Sequence, residues 1–345
     1  MRVLIAMSGG VDSSVAAGLL VDQDHDVVGA TMKLWGGPSD SGCCSVADVD
    51  DARRVADQLG IDHRVFNFGD EFSTGVIERY VAEHALGRTP NPCVDCNTHL
   101  KFGAFAERAF RLGFDAIATG HHARVNLVDG VPHLLRGIDA RKDQSYVLST
   151  LSGEKLSRVL LPIGSLTKAR VREIARTKGL RTFAKPESQD VCFISSRTDS
   201  GARRRFISTR IPTHEGRVVD VATGAAVGRV AAVELVTVGQ RKGLGISGGA
   251  VRYAVGIDIA SRTVHVGGRD ELLVEEVTLA PRTWIGAPLA PGVEVFAQSS
   301  AHGRAHRARI TATGVAFEQP ARRPAPGQVV ACYVGDEVVG AGIST

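Results

Sequence analysis

The segment at residues 8–14, S-G-G-V-D-S-S, limits the fold of this chain more than any other. It joins the apolar stretch 2–7, a predicted strand, to residues 13–22, a predicted helix. Adjacent glycines let successive backbone N–H groups point into one concavity, and serine hydroxyls and a helix N-terminus add further donors. The segment therefore predicts a phosphate-binding loop in an α/β domain, and an ordinary serine-capped turn is the alternative.

The first half of the chain alternates strand-like and helix-like segments. The strands are predicted at 2–7, 26–34, 63–68 and 115–119, and the helices at 13–22, 45–59, 71–86 and 99–112. This alternation predicts βαβ units and a parallel sheet covered on both faces, with the ligand beyond the carboxyl ends of the strands. The loop lacks the Walker and dinucleotide-binding fingerprints, which argues against both of those classes.

After about residue 195 the pattern changes to short Val-rich segments separated by Gly or Pro. These segments are 216–221, 227–238, 251–258, 263–267, 293–298, 307–317 and 328–341. We therefore predict an α/β parallel-sheet domain at 1–195, a small mainly-β central module at 196–275 and a C-terminal β-barrel at 276–345. The polar segment 197–205 predicts a linker or mobile loop. Pro281, Pro288 and Pro291 predict breaks in regular structure near the boundary between the central module and the barrel.

Composition places few further limits on function. The chain has 345 residues with a net charge of +4, and no apolar run approaches the ~20 residues that a membrane span needs. We therefore expect a cytoplasmic protein without membrane association. Only eight of the 41 basic residues are Lys. This bias is explained by codon usage in a GC-rich genome, and it allows a polyanion partner that arginine would contact without establishing one.

The six cysteines predict metal or redox chemistry rather than a disulfide scaffold. Cys93 and Cys96 form a C-x-x-C pair in N-P-C-V-D-C-N, just before a predicted helix. The pair has three interpretations: a structural zinc site that lacks a second pair, a redox pair, or a catalytic thiolate working with a distant cysteine. Cys192, in S-Q-D-V-C-F, is that distant cysteine or a small buried residue.

Five motifs together resemble the tRNA-specific 2-thiouridylase family, whose fold is that of the PP-loop ATP pyrophosphatases. They occur in the order S-G-G-V-D-S-S, N-P-C-V-D-C-N, G-H-H-A, K-D-Q-S-Y and S-Q-D-V-C-F. T-V-G-Q-R-K-G-L at 237–244 and P-G-Q at 326–328 extend the similarity over nearly the whole chain.

The resemblance implies ATP-dependent replacement of the C2 oxygen of the wobble uridine by sulfur. ATP and Mg²⁺ are the implied cofactors, and the implied ATP-binding residues are Ala6, Met7, Ser8, Gly9, Gly10, Val11, Asp12, Ser13, Met32 and Gly120. The anticodon stem-loop of tRNA and a persulfide donor from a sulfur-relay system are the implied partners. We also expect a monomer.

The resemblance further implies roles for residues on the sulfur and RNA side of the site. Cys96 matches the nucleophile, and Cys192 matches the cysteine that carries the persulfide. The residues that match the surroundings of the target base are Asn91, Pro92 and Cys93. The residues that match tRNA contacts are His121, Lys142, Asp143, Gln144 and Gln328.

The chain departs from the family pattern at three places. Many relatives carry Asp, the usual acid/base candidate, where this chain has Cys93, so either Cys93 or Asp95 takes that role. An iron–sulfur cluster on Cys93, Cys96 and Cys192 is an alternative that we do not favour. An aromatic RNA contact is missing around 300–304, and the usual His and Gly are missing at 230–233.

Two other functions fit parts of the sequence. A PP-loop amidotransferase or ligase acting on a small metabolite would use the phosphate loop and be indifferent to Cys96 and Cys192. An ATP-sensing RNA-binding module would bind nucleotide without releasing pyrophosphate.

Overall fold

The computed structural model describes residues 1–34, 45–186, 192–194, 201–247 and 249–345. The strands of the described residues are β1 Arg2–Ala6, β2 Asp26–Lys33, β3 Asp62–Asn67, β4 Ala116–Ala118, β5 Ala123–Val128, β6 Val131–Arg136, β7 Val159–Leu160, β8 Gly216–Asp220, β9 Ala226–Val230, β10 Tyr253–Asp258, β11 Thr263–Gly267, β12 Leu273–Trp284, β13 Glu294–Gln298, β14 His306–Ile310, β15 Gly314–Arg322, β16 Val329–Val334 and β17 Glu337–Ser344.

The α-helices of the same residues are α1 Val11–Asp22, α2 Val46–Leu59, α3 Gly69–Phe72, α4 Arg79–Ala85, α5 Pro92–Asp95, α6 Ala106–Arg111, α7 Ser145–Leu148, α8 Gly153–Leu156, α9 Lys168–Thr177 and α10 Ala202–Ser208. π-helical turns at Ser73–Glu78 and Cys96–Phe105 connect α3 to α4 and α5 to α6. No helix of the described ranges is long and apolar enough to cross a membrane.

The first sheet is parallel, with the strand order β3-β2-β1-β4-β7. Successive side chains of a strand point to opposite faces of the sheet, so alternate residues of β1 pack into two different hydrophobic cores. Val3 and Ile5 pack with α1, α2 and α9, whereas Leu4 and Ala6 pack with the helical segments at 69–111. Helices therefore cover both faces, as predicted, and the carboxyl ends of the strands are left for the site.

The central module is a four-stranded sheet in the order β10-β11-β8-β9. The predicted strand 227–238 is only partly right, since β9 ends at Val230 and a 3₁₀ turn follows at Val233–Leu235.

The predicted linker at 197–205 is wrong at its end, because α10 begins at Ala202. Phe206 packs against Phe193 at 5.2 Å between ring centroids, which gives this basic helix an apolar side. Residues 195–200 lie outside the described residues.

The C-terminal region is a closed six-stranded barrel, in which β12-β15-β14-β13-β16-β17 follow one another and β12 also pairs with β17. The predicted segments 307–317 and 328–341 are each two strands, separated by turns at 311–313 and 335–336. Pro281 lies inside β12 and marks no boundary. The predicted fold class, a parallel-sheet domain, a small β module and a barrel, is confirmed.

A hairpin from the first half of the chain extends the barrel sheet, which the sequence analysis missed. β5 and β6 pair with each other, and β6 pairs with β17 through Leu134↔Val338 and Leu135↔Glu337. The turn is Asp129–Gly130, and both residues have positive φ (50° and 79°). Asp-Gly between two alternating apolar segments is a strong hairpin signal, so the sequence could have predicted it. The hairpin ties the first domain to the barrel.

Candidate active site

The predicted phosphate-binding loop connects β1 to α1. Gly10 caps α1, and its carbonyl oxygen accepts hydrogen bonds from the hydroxyls of Ser13 (3.2 Å) and Ser14 (2.8 Å). Gly9 has a φ of 69°, and a Cβ there would overlap the Asp48 carbonyl oxygen, so only glycine fits. The loop thus places the positive N-terminal end of a twelve-residue helix at the edge of the sheet.

Gly120 follows β4 and lies against the same loop. A Cβ on Gly120 would lie 2.6 Å from the Ser13 nitrogen, so glycine allows this close approach. Asp12 is the acidic group of the loop. Lys168, the first residue of α9, donates from Nζ to both Asp12 carboxylate oxygens at 2.7 Å, and His122 Nε2 lies 3.3 Å from Oδ1. Burial raises the pKa of Asp12, but the hydrogen bonds from His122 and Lys168 outweigh burial and lower it, which keeps Asp12 ionised.

The C-x-x-C pair lies at the start of a helix. The Asn91 side chain caps α5 by accepting from the Cys93 N–H at 3.1 Å, and Pro92 occupies the first turn, where its missing N–H costs nothing. Cys93, Cys96 and Asn97 are spaced i, i+3, i+4 and therefore share one face of the helix, which lines a cavity. Asp95, two positions after Cys93, does not line it.

Asp95 contacts groups away from the cavity. Its Oδ1 lies 3.5 Å from Arg79 Nε and 3.9 Å from His99 Nε2. Burial raises the pKa of Asp95 to about 6 although Arg79 lowers it. The carboxyl group is thus perturbed by its surroundings, yet its position separates it from the cavity that the two cysteines line.

One cavity of about 730 Å³ brings the two halves of the site together. Of the residues predicted to bind ATP, the target base or sulfur, those that line it are Ala6, Met7, Ser8, Asp12, Ser13, Met32, Gly120, Pro92, Cys93, Cys96 and Cys192. Gly9, Gly10 and Val11 belong to the loop without lining the cavity, and Asn91 acts as a helix cap. Residues from the barrel, Ala301 and His302, complete the lining.

The residues predicted to contact tRNA occupy different environments. His121, Lys142, Asp143 and Gln144 line the cavity, whereas Gln328 does not. Gln328 donates from Nε2 to the Thr89 carbonyl oxygen at 2.5 Å and so joins the barrel to the first domain.

His121 is buried, and its environment favours the neutral ring. Its Nδ1 lies 2.7 Å from Thr119 Oγ1. Burial, followed by the nearby charges of Lys101 and His122, lowers its pKa well below the usual value. Neutral His121 is therefore suited to hydrogen bonding or stacking rather than to contacting a phosphate by charge.

The structure adds cationic residues that the sequence analysis missed. Lys101, Arg141 and Lys168 line the cavity, as does the predicted Lys142. Lysine is rare in this Arg-rich chain, and three of its eight lysines line this one cavity. That rarity is a signal that sequence reasoning could have used, since few positions carry a compact ammonium and each could have been considered as a candidate cation.

Among the described residues, the remaining cysteine, Cys332, contributes no group to the cavity. Cys332 is buried in the barrel, and burial raises the pKa of its thiol to about 12, so it stays protonated. Cys43 and Cys44 lie outside the described residues. In the ranges that the structure describes, no three or more His, Cys, Asp or Glu side chains are arranged to hold a metal ion. An iron–sulfur cluster on Cys93, Cys96 and Cys192 stays the alternative that we do not favour.

Comparison with known proteins identifies the family. Family models match a tRNA methyl transferase HUP domain at residues 1–196, a tRNA methyl transferase PRC-barrel domain at 204–268 and an aminomethyltransferase beta-barrel domain at 274–343. The tRNA-specific 2-thiouridylase of Mycolicibacterium vanbaalenii is 48% identical over 359 residues, which cover 99% of this chain and 98% of that protein. The chain belongs to the tRNA-specific 2-thiouridylase family. The resemblance drawn from the motifs is thereby confirmed.

Other members of the 2-thiouridylase family are similar over the whole chain. The enzyme of Saccharopolyspora erythraea is 43% identical, with 99% of both chains covered, and that of Rhodococcus jostii is 44% identical, with 99% and 97% covered. Among solved structures, a U34-tRNA thiolase from Methanococcus maripaludis with its [4Fe-4S] cluster overlaps 61% of this chain and 65% of its own, at 18% identity and a TM-score of 0.36. An overlap this partial carries no argument about the site.

Proposed function

We propose that this protein uses ATP to replace the C2 oxygen of the wobble uridine (position 34) of tRNA by sulfur, giving 2-thiouridine, AMP and pyrophosphate. Its family membership makes it a tRNA sulfurtransferase. One observation supports the proposal most strongly: the phosphate-binding loop and three cysteines line the same cavity. A nucleotide and a sulfur carrier can therefore meet at one uridine.

The phosphate-binding loop would bind the pyrophosphate end of ATP. Ser8 and Ser13 offer hydroxyls, and α1 offers its positive end. Lys168 neutralises Asp12, which would otherwise repel phosphate. Mg²⁺ would arrive with ATP, and the loop oxygens open to it are the Ser8 and Ser13 hydroxyls, since Lys168 already pairs with both oxygens of Asp12. Bound there, it would offset charge on the leaving pyrophosphate. The uridine C2 oxygen attacks the α-phosphorus, pyrophosphate leaves, and C2 then carries AMP as a leaving group.

Sulfur would arrive as a persulfide on Cys192. The Cys96 thiolate attacks the inner sulfur of that persulfide, forming a Cys96–Cys192 disulfide and expelling hydrosulfide. Hydrosulfide adds to C2 and expels AMP, and a thiol reductant then restores both cysteines. In the alternative route, the terminal persulfide sulfur attacks C2 and expels AMP; the Cys96 thiolate then attacks the Cys192 sulfur, which releases 2-thiouridine and forms the same disulfide. Both routes need Cys96 and Cys192 beside the uridine, and the cavity lining supports this.

Cys93, rather than Asp95, would take the acid/base position beside the target base. Cys93 shares the cavity-facing side of the helix with Cys96, whereas Asp95 lies against Arg79. A base in the anticodon loop is splayed out at low cost because it is single-stranded, and the cavity would receive it. His121, Lys142 and Gln144 line the same cavity and would contact the loop.

A persulfide donor from a sulfur-relay system completes the proposed reaction, which we place in the cytoplasm and assign to a monomer. The test incubates the protein with unmodified tRNA, ATP and Mg²⁺, and supplies sulfur from a cysteine desulfurase with cysteine or from inorganic sulfide. The tRNA is digested, and its nucleosides are measured by mass spectrometry. We expect 2-thiouridine with either sulfur source.

The same assay separates the other candidate functions. Absence of 2-thiouridine with both sulfur sources would overturn the proposal. ATP–pyrophosphate exchange that depends on a small metabolite instead of tRNA would favour a ligase. Nucleotide and RNA binding without pyrophosphate release would favour a sensor.

A further inference from the structure

The Asp143 carboxylate is already occupied by the protein itself. Oδ1 accepts hydrogen bonds from the backbone N–H groups of Gly137 (2.9 Å) and Ser145 (3.0 Å). Oδ2 accepts from Arg136 Nη1 and from the Ser145 hydroxyl, both at 2.9 Å. With four donors on two oxygens and 8% exposure, Asp143 has little left for RNA, whose phosphates would repel it.

Arg136 connects Asp143 to the barrel. Its second terminal nitrogen, Nη2, donates to Gln298 Oε1 on β13 at 2.8 Å. Its guanidinium lies 3.6 Å from the centroid of the Tyr333 ring on β16, and the Tyr333 hydroxyl lies 3.2 Å from Ser145 Oγ. The planar fork of arginine allows these contacts at once, which a lysine ammonium could not match.

Gln298 carries the connection to the cavity. Its Nε2 donates to the carbonyl oxygens of Ser300 (2.8 Å) and Ala301 (3.3 Å), and Gln298 itself is 3% exposed. Ala301 and His302 line the cavity. A chain of hydrogen bonds, Asp143–Arg136–Gln298, with a half-buried Arg136 between two buried side chains, thus joins segment 142–144 of the first domain to segment 300–302 of the barrel, and both segments contribute to the cavity lining.

We propose that Arg136 is a positioning residue for tRNA: through Asp143 and Gln298 it sets segments 142–144 and 300–302 at the separation that the anticodon loop requires. Arg136 does not line the cavity, so it acts through these segments rather than by touching RNA. The inference rests on the proposed function, and it assigns Asp143 the same indirect role. It predicts that the chain of hydrogen bonds controls tRNA affinity and leaves ATP affinity unchanged.

The test measures KM for tRNA, KM for ATP, kcat and thermal stability in the full-length protein. Gln298→Met keeps the volume and the Arg136–Asp143 pair but removes both connections of Gln298. We expect KM for tRNA to rise about tenfold in Gln298→Met and more in Arg136→Gln, as expected for the loss of hydrogen bonds to a charged group. Arg136→Lys, which keeps the charge toward Asp143, should recover part of the loss, and KM for ATP should stay within twofold.

The matched control is the His133–Glu337 pair. His133 Nδ1 lies 2.7 Å from Glu337 Oε1 and joins the same hairpin to the same barrel, without reaching the cavity. Glu337→Gln should leave KM for tRNA unchanged. An unchanged KM for tRNA in Gln298→Met, a parallel rise in KM for ATP, or an equal effect of Glu337→Gln would overturn the inference. A wild-type protein that binds tRNA without thiolating it would instead contradict the proposed function, and tRNA dissociation constants of the same variants would still test the role of Arg136.

Discussion

The two ends of the cavity are built in different ways. The phosphate end consists of loop 8–14 with Gly120 and Lys168, and most of it is one continuous segment between β1 and α1. The cysteine end gathers residues from α5, from Cys192 and from barrel residues 301–302. A contiguous loop needs only local backbone geometry, whereas the cysteine end needs distant parts of the first domain, with two barrel residues, to come together. Variants at each end test whether the two ends are also functionally separate.

The largest effect is expected at the cysteine end. Cys192→Ser and Cys96→Ser should each reduce thiolation with the desulfurase donor at least about 1,000-fold, since the serine hydroxyl neither carries nor displaces a persulfide sulfur. Nucleoside analysis after tRNA digestion checks this. If hydrosulfide is the species that attacks C2, inorganic sulfide should restore both variants. Failure of sulfide to restore either variant would instead favour direct attack of the Cys192 persulfide on C2.

A lysine at the phosphate end gives the next largest effect. Lys168→Met should lower pyrophosphate release about 100-fold, because the uncompensated Asp12 carboxylate then faces the phosphates, and sulfide should not restore it. The matched control is Lys178→Met, which removes the Lys178–Asp22 pair (2.6 Å) from the other end of α1 and α9. Pyrophosphate release is expected to be normal there. Equal losses in both variants would mean that the Lys168 pair only holds the helices together.

A smaller effect should distinguish Cys93 from Asp95. Cys93→Ala should lower kcat about tenfold to 100-fold, at or below the low end of the about 100-fold to 10,000-fold that acid/base groups typically contribute, because a thiol suits that role less well than a carboxylate. Asp95→Asn should change kcat less than threefold, because its carboxylate lies against Arg79 and off the cavity. Single-turnover kinetics on tRNA measure both. The reverse order of effects would place the acid/base group at Asp95.

The smallest effect concerns stability rather than activity. The pKa of Asp95 is raised from 3.8 to about 6 in the folded state, so the folded protein binds the proton more tightly than the unfolded chain. Stability should therefore fall as pH rises from about 4 to about 6 and then level off. Asp95→Asn should remove this fall, a difference of about 2 kcal/mol. Urea unfolding at pH 4.5 and pH 7 measures it, and parallel pH profiles would contradict it.

Local sequence patterns predicted the elements of residues 1–119 better than those of the barrel. Buried β1 and amphipathic α2 have continuous patterns, so their bounds agree with the structure within two residues. In the barrel, segments 307–317 and 328–341 are Val-rich on both sides of a short turn, and apolar content alone did not show where the chain reverses. Helix α10 was missed because its three consecutive arginines make the segment look polar, although Phe206 and Ile207 give the helix an apolar side.

The sequence by itself determined the phosphate-binding loop, the spacing of Cys93 and Cys96 on one helix face, and the family, because each depends on residues close together in the chain or on motifs in order. Tertiary structure alone decided which groups share the cavity. In the folded protein Asp95 pairs with Arg79, and the Asp143 carboxylate accepts a hydrogen bond from Arg136. Arg136 also donates to Gln298, 162 positions away in the chain. The physical reason is that a charged side chain is available to a substrate only if the fold has not already paired it, and pairing depends on neighbours that only packing supplies.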